Sequence, residues 1–373
     1  MCNLRTQASA QALIRAMTGS ASYPEAQPRT GSQGKGRVLI AQTGFLGDVV
    51  LATALLAALA DAGYDVYALV RPEHVPLLQS DPIVRGVIAD DKRGGRRGLL
   101  GALKTARELR AYEFAAVLSP HRSYRTAAML AFAGIPCRVG FASSPLSWLF
   151  SERVAPSARS HQLERNLCLL EPLGIRNADV QMRLRMPARA ARAASERLAS
   201  CARPLVGVAA GSAWSTKRWP ARKFAQALRE LSRHADFTAV FLGTSADRFG
   251  ANEIGSLWAG PQLNLAGHTD LPTLCAVIER LDLLIANDSA PVHIAGAYRV
   301  PTVVVFLATH PSFGFGPVAQ PFRIAQVEEL ACRPCSPHGG RRCPLGHFQC
   351  AERLAPEVVA EAAAQLLAEQ RAR

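Results

Sequence analysis

Four short stretches hold side chains whose types and spacing suit chemistry on a phosphorylated substrate. In "TGFLGDVV" (43–50), Asp48 follows Gly44 and Gly47 at the start of an apolar run. A carboxylate there either caps the helix that begins at that point or, held at a cleft, removes a proton from an acceptor hydroxyl. The two roles are compatible, because a capping carboxylate has a fixed orientation. In "GSAWSTKRWP" (211–220), Ser212, Ser215 and Thr216 lead into the dibasic pair Lys217–Arg218. Hydroxyls and backbone amides at a helix start cradle phosphate oxygens, and the lysine adds a point charge. Arg218 would do the same or form a structural ion pair. Two of the four tryptophans, Trp214 and Trp219, flank the pair, and packing explains them better than stacking on a ligand.

The third stretch, "NDSAPVH" (287–293), supplies Asn287, Asp288, Ser289, Ala290 and His293. If its amides face the same cleft as the Lys217 loop, the two loops clamp a diphosphate. His293 alone on an apolar helix would be a core histidine, but its place in a first turn beside Ser289 favours phosphate contact. The fourth, "LGTSADRFGANE" (242–253), offers Asp247 or Glu253 to a ribose, or merely two solvated helix acids.

Each stretch sits where a strand hands over to a helix. "RVLIAQ" (37–42), "DVYALV" (65–70), "FAAVLSP" (114–120) and "CRVGF" (137–141) read as strands, with "RTAAMLAFAG" (125–134) as a helix between the last two. The rhythm restarts at "PLVGVAAG" (204–211) and continues through "FTAVFLG" (237–243), "LDLLIAND" (281–288) and "VPTVVVFL" (300–307). Such alternation implies parallel sheets covered by helices, with ligands at the carboxyl ends of the strands. The expected organisation is a polar, mobile extension over 1–36, one doubly wound domain over 37–190 and a second over 191–373 closed by a C-terminal helix. A length of 373 residues suits two domains of about 150 residues each.

Composition narrows the function. Hydrophobic content of 49% with 19% charged residues describes a globular chain, and no run of about 18 apolar residues offers a membrane span. The formal charge of +14 points to an anionic partner: nucleic acid, phosphorylated sugar or acidic lipid. No recognition-helix, zinc-finger or RNP-type pattern accompanies it, so nucleic acid is not expected. The dinucleotide fingerprint G-x-G-x-x-G is incomplete at the first turn, because Gln42 stands where its first glycine belongs. That counts against a nicotinamide oxidoreductase.

One segment stands apart from these loops. "ACRPCSPHGGRRCPLGHFQC" (331–350) holds Cys332, Cys335, Cys343 and Cys350, which would bind a structural zinc or remain free thiols. Its deletion is expected to affect stability more than chemistry.

The segments "RVLIAQTGFLGDVVLATALLAAL", "GSAWSTKRWPARKFAQAL" and "LAGHTDLPTLCAVIERLDLLIANDSAPVHIAGAYRVPTVVVF" resemble three hallmark segments of the ADP-heptose:lipopolysaccharide heptosyltransferases, glycosyltransferase family 9. Their order and spacing match, and the likeness covers most of residues 37–370. The resemblance implies a GT-B architecture: two Rossmann-like domains facing a central cleft, acceptor on the first and nucleotide sugar on the second. It also implies inverting transfer with no metal or other cofactor, and the chain lacks the Asp-x-Asp anchor of the other main glycosyltransferase fold. Asp48 would be the general base and Lys217 would neutralise the leaving diphosphate. Gly47, Ser212, Ser215, Thr216, Arg218, Asn287, Asp288, Ser289, Ala290 and His293 would line the substrates, with Asp247 on the ribose. Ser289 and Ala290 depart from the family's threonine and glycine, and Ala290 adds a methyl where backbone should approach phosphate. The partners implied are ADP-heptose, an anionic glycolipid acceptor of the lipid A–Kdo type, and the inner face of the inner membrane. A related transferase using another nucleotide sugar, or a non-catalytic nucleotide-binding protein, would keep the Lys217 loop; only the transferases need Asp48 as a base.

Overall fold

The computed structural model describes residues 34–176 and 181–372. The extension expected over residues 1–36 therefore lies, for residues 1–33, outside the described residues.

Short apolar runs form two six-stranded sheets. The first contains β1 (Arg37–Ala41), β2 (Asp65–Val70), β3 (Val84–Ala89), β4 (Ala116–Ser119), β5 (Cys137–Phe141) and β6 (Glu152–Val154), in the order β3-β2-β1-β4-β5-β6. The second contains β7 (Leu205–Ala209), β8 (Thr238–Phe241), β9 (Gln262–Asn264), β10 (Leu283–Asn287), β11 (Thr302–Val305) and β12 (Phe322–Ala325), in the order β12-β11-β10-β7-β8-β9. All neighbouring pairs in both sheets run parallel. The two orders are the same pattern, each reversing beside its first strand. Ligands of doubly wound sheets bind at that reversal.

Parallel sheets are covered on both faces, so their strands are apolar throughout rather than alternating. Val38, Leu39, Ile40 and Ala41 in β1 are all buried, as are Leu283 to Ala286 in β10. The helix Leu46–Asp61 follows β1 and is buried around most of its circumference. It packs on β1 and β2 on one side and on the helix Ala290–Ala297 of the second domain on the other. Leu51, Leu55 and Leu59, four residues apart and fully buried, form one stripe of it. Burying such a side chain contributes roughly 1.5–3 kcal/mol. The turn beyond the helix is made by Gly63 at φ +86°, a conformation that suits a residue without a Cβ.

The chain crosses from one domain to the other between the helices Gln162–Leu167 and Ala188–Leu198. Gln162–Leu167 packs on the helix Leu46–Asp61, whereas Ala188–Leu198 packs on Leu271–Ile278 of the second domain. The closing helix Pro356–Arg371 lies against β10, β11 and β12 and the helix Ala221–Leu231. Both domains thus present strand carboxyl ends carrying the loops singled out above.

Candidate active site

Asp48 is the third residue of its helix and not the cap. Phe45 occupies the cap position, and its N–H donates to Asp48 Oδ2 at 3.1 Å, so the carboxylate reaches back over the helix start. Burial raises its pKa above the ordinary carboxylate value, against the lowering effects of the Phe45 N–H and the charges of His338, Arg71 and Lys217. The glycines around it serve space and not a left-handed turn, since neither Gly44 nor Gly47 has positive φ. A Cβ on Gly44 would lie 2.8 Å from Asp48 Oδ2 and from Gln42 Oε1, and one on Gly47 would lie 2.8 Å from His293 Cδ2. Gly47 is therefore a point of close approach between the two domains, and its side is filled by protein.

Lys217 lies at the end of β7, across the reversal point from Asp288 at the end of β10. Its Nζ is 2.6 Å from Asp288 Oδ2, with side chains 12% and 7% exposed. Thr309 Oγ1 donates to the same oxygen at 2.7 Å. Asp288, expected to line the donor, thus orients the ammonium that would meet it. The ammonium is thereby held in one place by Asp288, which Thr309 fixes in turn.

Several expected contact residues are occupied by the protein itself. Asn287 is fully buried; its Oδ1 accepts the Trp219 N–H at 3.2 Å and its Nδ2 donates to the Ala210 carbonyl at 2.6 Å. It fastens β10 to the Lys217 loop. Thr216 Oγ1 accepts the Gly340 N–H at 2.7 Å, and Arg218 Nε donates to the Ser212 carbonyl at 2.8 Å. Ser289 Oγ donates to the Asn287 carbonyl at 3.2 Å. The hydroxyls of Ser212 and Ser215 remain at the loop surface, the former accepting a long 3.4 Å bond from the Trp214 N–H.

His293 is buried, 6% exposed against Gly47, and burial holds its pKa down at about 4. Its Nδ1 has no hydrogen-bond partner among the described residues. Ala290 opens the same helix, its Cα 3.7 Å from where a Gly47 Cβ would be. Asp247 accepts from the Thr244 N–H at 2.9 Å and hydroxyl at 2.7 Å, and its carboxylate lies beside Gly211 and Gly243, at the ends of β7 and β8.

The tryptophans divide as packing suggests. Trp219 is 2% exposed, stacks edge-on to Phe224 and donates to the Ala351 carbonyl at 3.3 Å. Trp214 reaches across the domains to Phe45, with ring centroids 6.4 Å apart.

The sequence reading missed a group of basic side chains beside Asp48. Arg71, just beyond β2, is 5% exposed, its guanidinium 5.7 Å from the Phe45 ring centroid and Nε 3.3 Å from Glu73. Lys92 Nζ donates to Thr43 Oγ1 at 3.2 Å, and His121 Nδ1 is 3.2 Å from the same hydroxyl. Burial and the nearby Arg71 lower the Lys92 pKa to about 8. His74 and His121 are held at about 4, first by burial. Asp90 is spent on Arg125, to which it is paired at 2.5 and 3.0 Å. The signal was present, since "VRPEH" and "SPHR" both follow strands, but neither carries a recognised spacing.

The cysteine-rich segment does not stand apart from the site. Gly339 and Gly340 lie against Thr216 and Lys217, and His338 is within electrostatic reach of Asp48. Its four cysteines form no disulfide. Among the described residues no group of three or more His, Cys, Asp or Glu side chains converges to hold a metal.

Comparison with known proteins agrees with this arrangement. The family model "Glycosyltransferase family 9 (heptosyltransferase)" matches residues 102–347. Lipooligosaccharide heptosyltransferase 2 of Campylobacter jejuni is 33% identical over 167 residues, which cover 44% of this chain and 51% of that protein. The match thus spans about half of that relative's length. Among solved structures, a family 9 glycosyl transferase of Veillonella parvula superposes with a TM-score of 0.79 at 22% identity, covering 91% of this chain and 100% of that one. The ADP-heptose lipopolysaccharide heptosyltransferase II of Escherichia coli gives 0.72 at 21% identity, covering 90% and 99%. These likenesses carry the expected two-domain GT-B fold. The chain belongs to glycosyltransferase family 9, the heptosyltransferases.

Proposed function

We propose that the protein transfers a heptose from ADP-heptose to an anionic lipid A–Kdo acceptor, with inversion and without a metal. The observation that carries this reading is that a buried carboxylate, Asp48, and the cation Lys217, fixed by Asp288, stand beyond strands of different domains and within electrostatic reach of each other. In the reaction the acceptor hydroxyl gives its proton to Asp48 as its oxygen attacks the anomeric carbon, from the face opposite the diphosphate. The bond from that carbon to the diphosphate oxygen breaks, and ADP leaves with its new charge against Lys217. A charge contact of this kind contributes on the order of 2–4 kcal/mol to transition-state stabilisation. Asp247 would take the ribose. The acceptor's acidic groups would meet Arg71 and Lys92, which stand on the Asp48 side.

A nicotinamide reading has less room. The first-turn glycines that a pyrophosphate would approach are closed by Asp48, Gln42 and His293. The protein would work at the cytoplasmic face of the inner membrane, held there by its +14 charge on anionic lipid. No helix among the described residues is long and apolar enough to cross a membrane.

Replacing Asp48 with asparagine keeps an acceptor for the Phe45 N–H and removes the base. Turnover of ADP-heptose with lipid A–Kdo should fall about 10²–10⁴-fold, the usual value of a positioned base, while ADP binding and thermal stability stay as in the wild type. Undiminished turnover in Asp48→Asn would refute the assignment of the base.

A further inference from the structure

The cysteine-rich segment grips the Lys217–Asp288 pair from both sides. On the lysine side, the Gly340 N–H donates to Thr216 Oγ1 at 2.7 Å and the Gly340 carbonyl accepts the Thr216 N–H at 3.1 Å. Gly339, at φ +83°, passes so close that a Cβ there would lie 3.1 Å from Lys217 Cγ. Ser336 closes this turn by accepting the Gly339 N–H at 2.9 Å. On the aspartate side, Arg333 Nε and Nη2 donate to the Thr309 carbonyl at 3.1 and 2.9 Å, and the Cys335 N–H donates to the Ala308 carbonyl at 2.8 Å. Thr309 Oγ1 in turn holds the Asp288 oxygen that Lys217 reaches. One stretch of chain, residues 333–340, therefore fixes both members of the pair.

We infer that this strap positions Lys217 for the diphosphate, with Thr216, Thr309 and Arg333 as positioning residues. The inference rests on the reading of Lys217 given above. A lysine side chain has many rotamers, and its backbone is set here by the residue immediately before it, Thr216, which the strap holds by two hydrogen bonds. A misplacement of about 1 Å in such a group costs on the order of 10²-fold in rate. Arg333 fixes the other end by a planar fork, bridging the Thr309 carbonyl and, through Nη1, the Val327 carbonyl at 2.9 Å. A single ammonium could not make that bridge. The same contacts explain why the segment's glycines are where they are: a side chain on Gly339 would push against the lysine itself.

The test is a double-mutant cycle on Thr216→Val and Lys217→Ala, read as the rate of ADP release from ADP-heptose with lipid A–Kdo and as ADP affinity by calorimetry. Thr216→Val should lower kcat by about 10–10²-fold and weaken ADP, with the acceptor KM unchanged, and Thr216→Ser should recover most of the loss. In the Lys217→Ala background, Thr216→Val should add nothing further. An equal fold-loss in both backgrounds, or a Thr216→Val protein as active as the wild type, overturns the positioning role. A Lys217→Ala protein with full rate and ADP affinity overturns instead the reading of Lys217 on which this rests. Arg333→Lys runs the same cycle from the Asp288 side and decides the matter if Thr216→Val fails to fold.

Discussion

A buried carboxylate surrounded by cations is pulled in two directions, and for Asp48 burial prevails. A base must be ionised, so a raised pKa places the loss of activity on acidification above the usual carboxylate range. Lys92 acts at the other end: with a pKa of about 8 it loses its charge as the pH climbs past that value, and an anionic acceptor loses a contact. The profile of kcat/KM against pH should therefore rise through an acid limb set by Asp48 and fall again near pH 8. Lys92→Met should remove the alkaline fall and leave the acid limb in place; an unchanged alkaline limb would show that Lys92 does not meet the acceptor. Asp48 and Lys217 were legible as candidates because a carboxylate at a helix start and a dibasic pair both follow strands, where doubly wound sheets hold ligands. Asn287, Thr216 and Arg218 read as substrate contacts, whereas in the structure their side chains bond backbone groups of the protein. Amides, hydroxyls and guanidinium groups serve backbone as readily as ligand, and sequence does not say which backbone groups lie opposite them.

At the level of elements, the interior strands were plain and the edges were not. β2 and β5 begin and end where their apolar runs do, at Asp65–Val70 and Cys137–Phe141. β6 and β9 are three residues each, "ERV" and "QLN", too short and too polar to announce themselves. β3 carries a glycine and an arginine, and β12 is an exposed edge beginning at Phe322. What no pattern revealed was the contact between the helices Leu46–Asp61 and Ala290–Ala297, which depends on Gly47 having no side chain. Gly47→Ala would put a Cβ 2.8 Å from His293 Cδ2 and force the domains apart at the site. It should lower kcat/KM about tenfold without loss of the fold, and adding His293→Ala, which vacates the clash, should restore most of that. If Gly47→Ala alone is fully active, the close approach of the two helices is dispensable.

For the molecule as a whole, the two sheets repeat one topology but divide the labour. The first carries Asp48 among Arg71, Lys92 and His121; the second carries Lys217, Asp288 and Asp247. Two Rossmann-like halves were readable from the βα rhythm and its restart at residue 204. The placement of segment 331–350 was not, because a cysteine-rich stretch reads as a zinc site or a set of free thiols, whereas here its backbone grips the Lys217 loop and its Arg333 side chain the Thr309 carbonyl. In the proposed reaction this second half holds an ADP-sugar against Lys217. Calorimetry of ADP-heptose, ADP, UDP and NAD on the wild type and on Lys217→Ala checks this. Selective binding of ADP and ADP-heptose is expected, with ADP-heptose weakened about tenfold or more by the substitution. Tighter binding of UDP or NAD, or a Lys217→Ala protein that binds ADP-heptose as well as the wild type does, would contradict it.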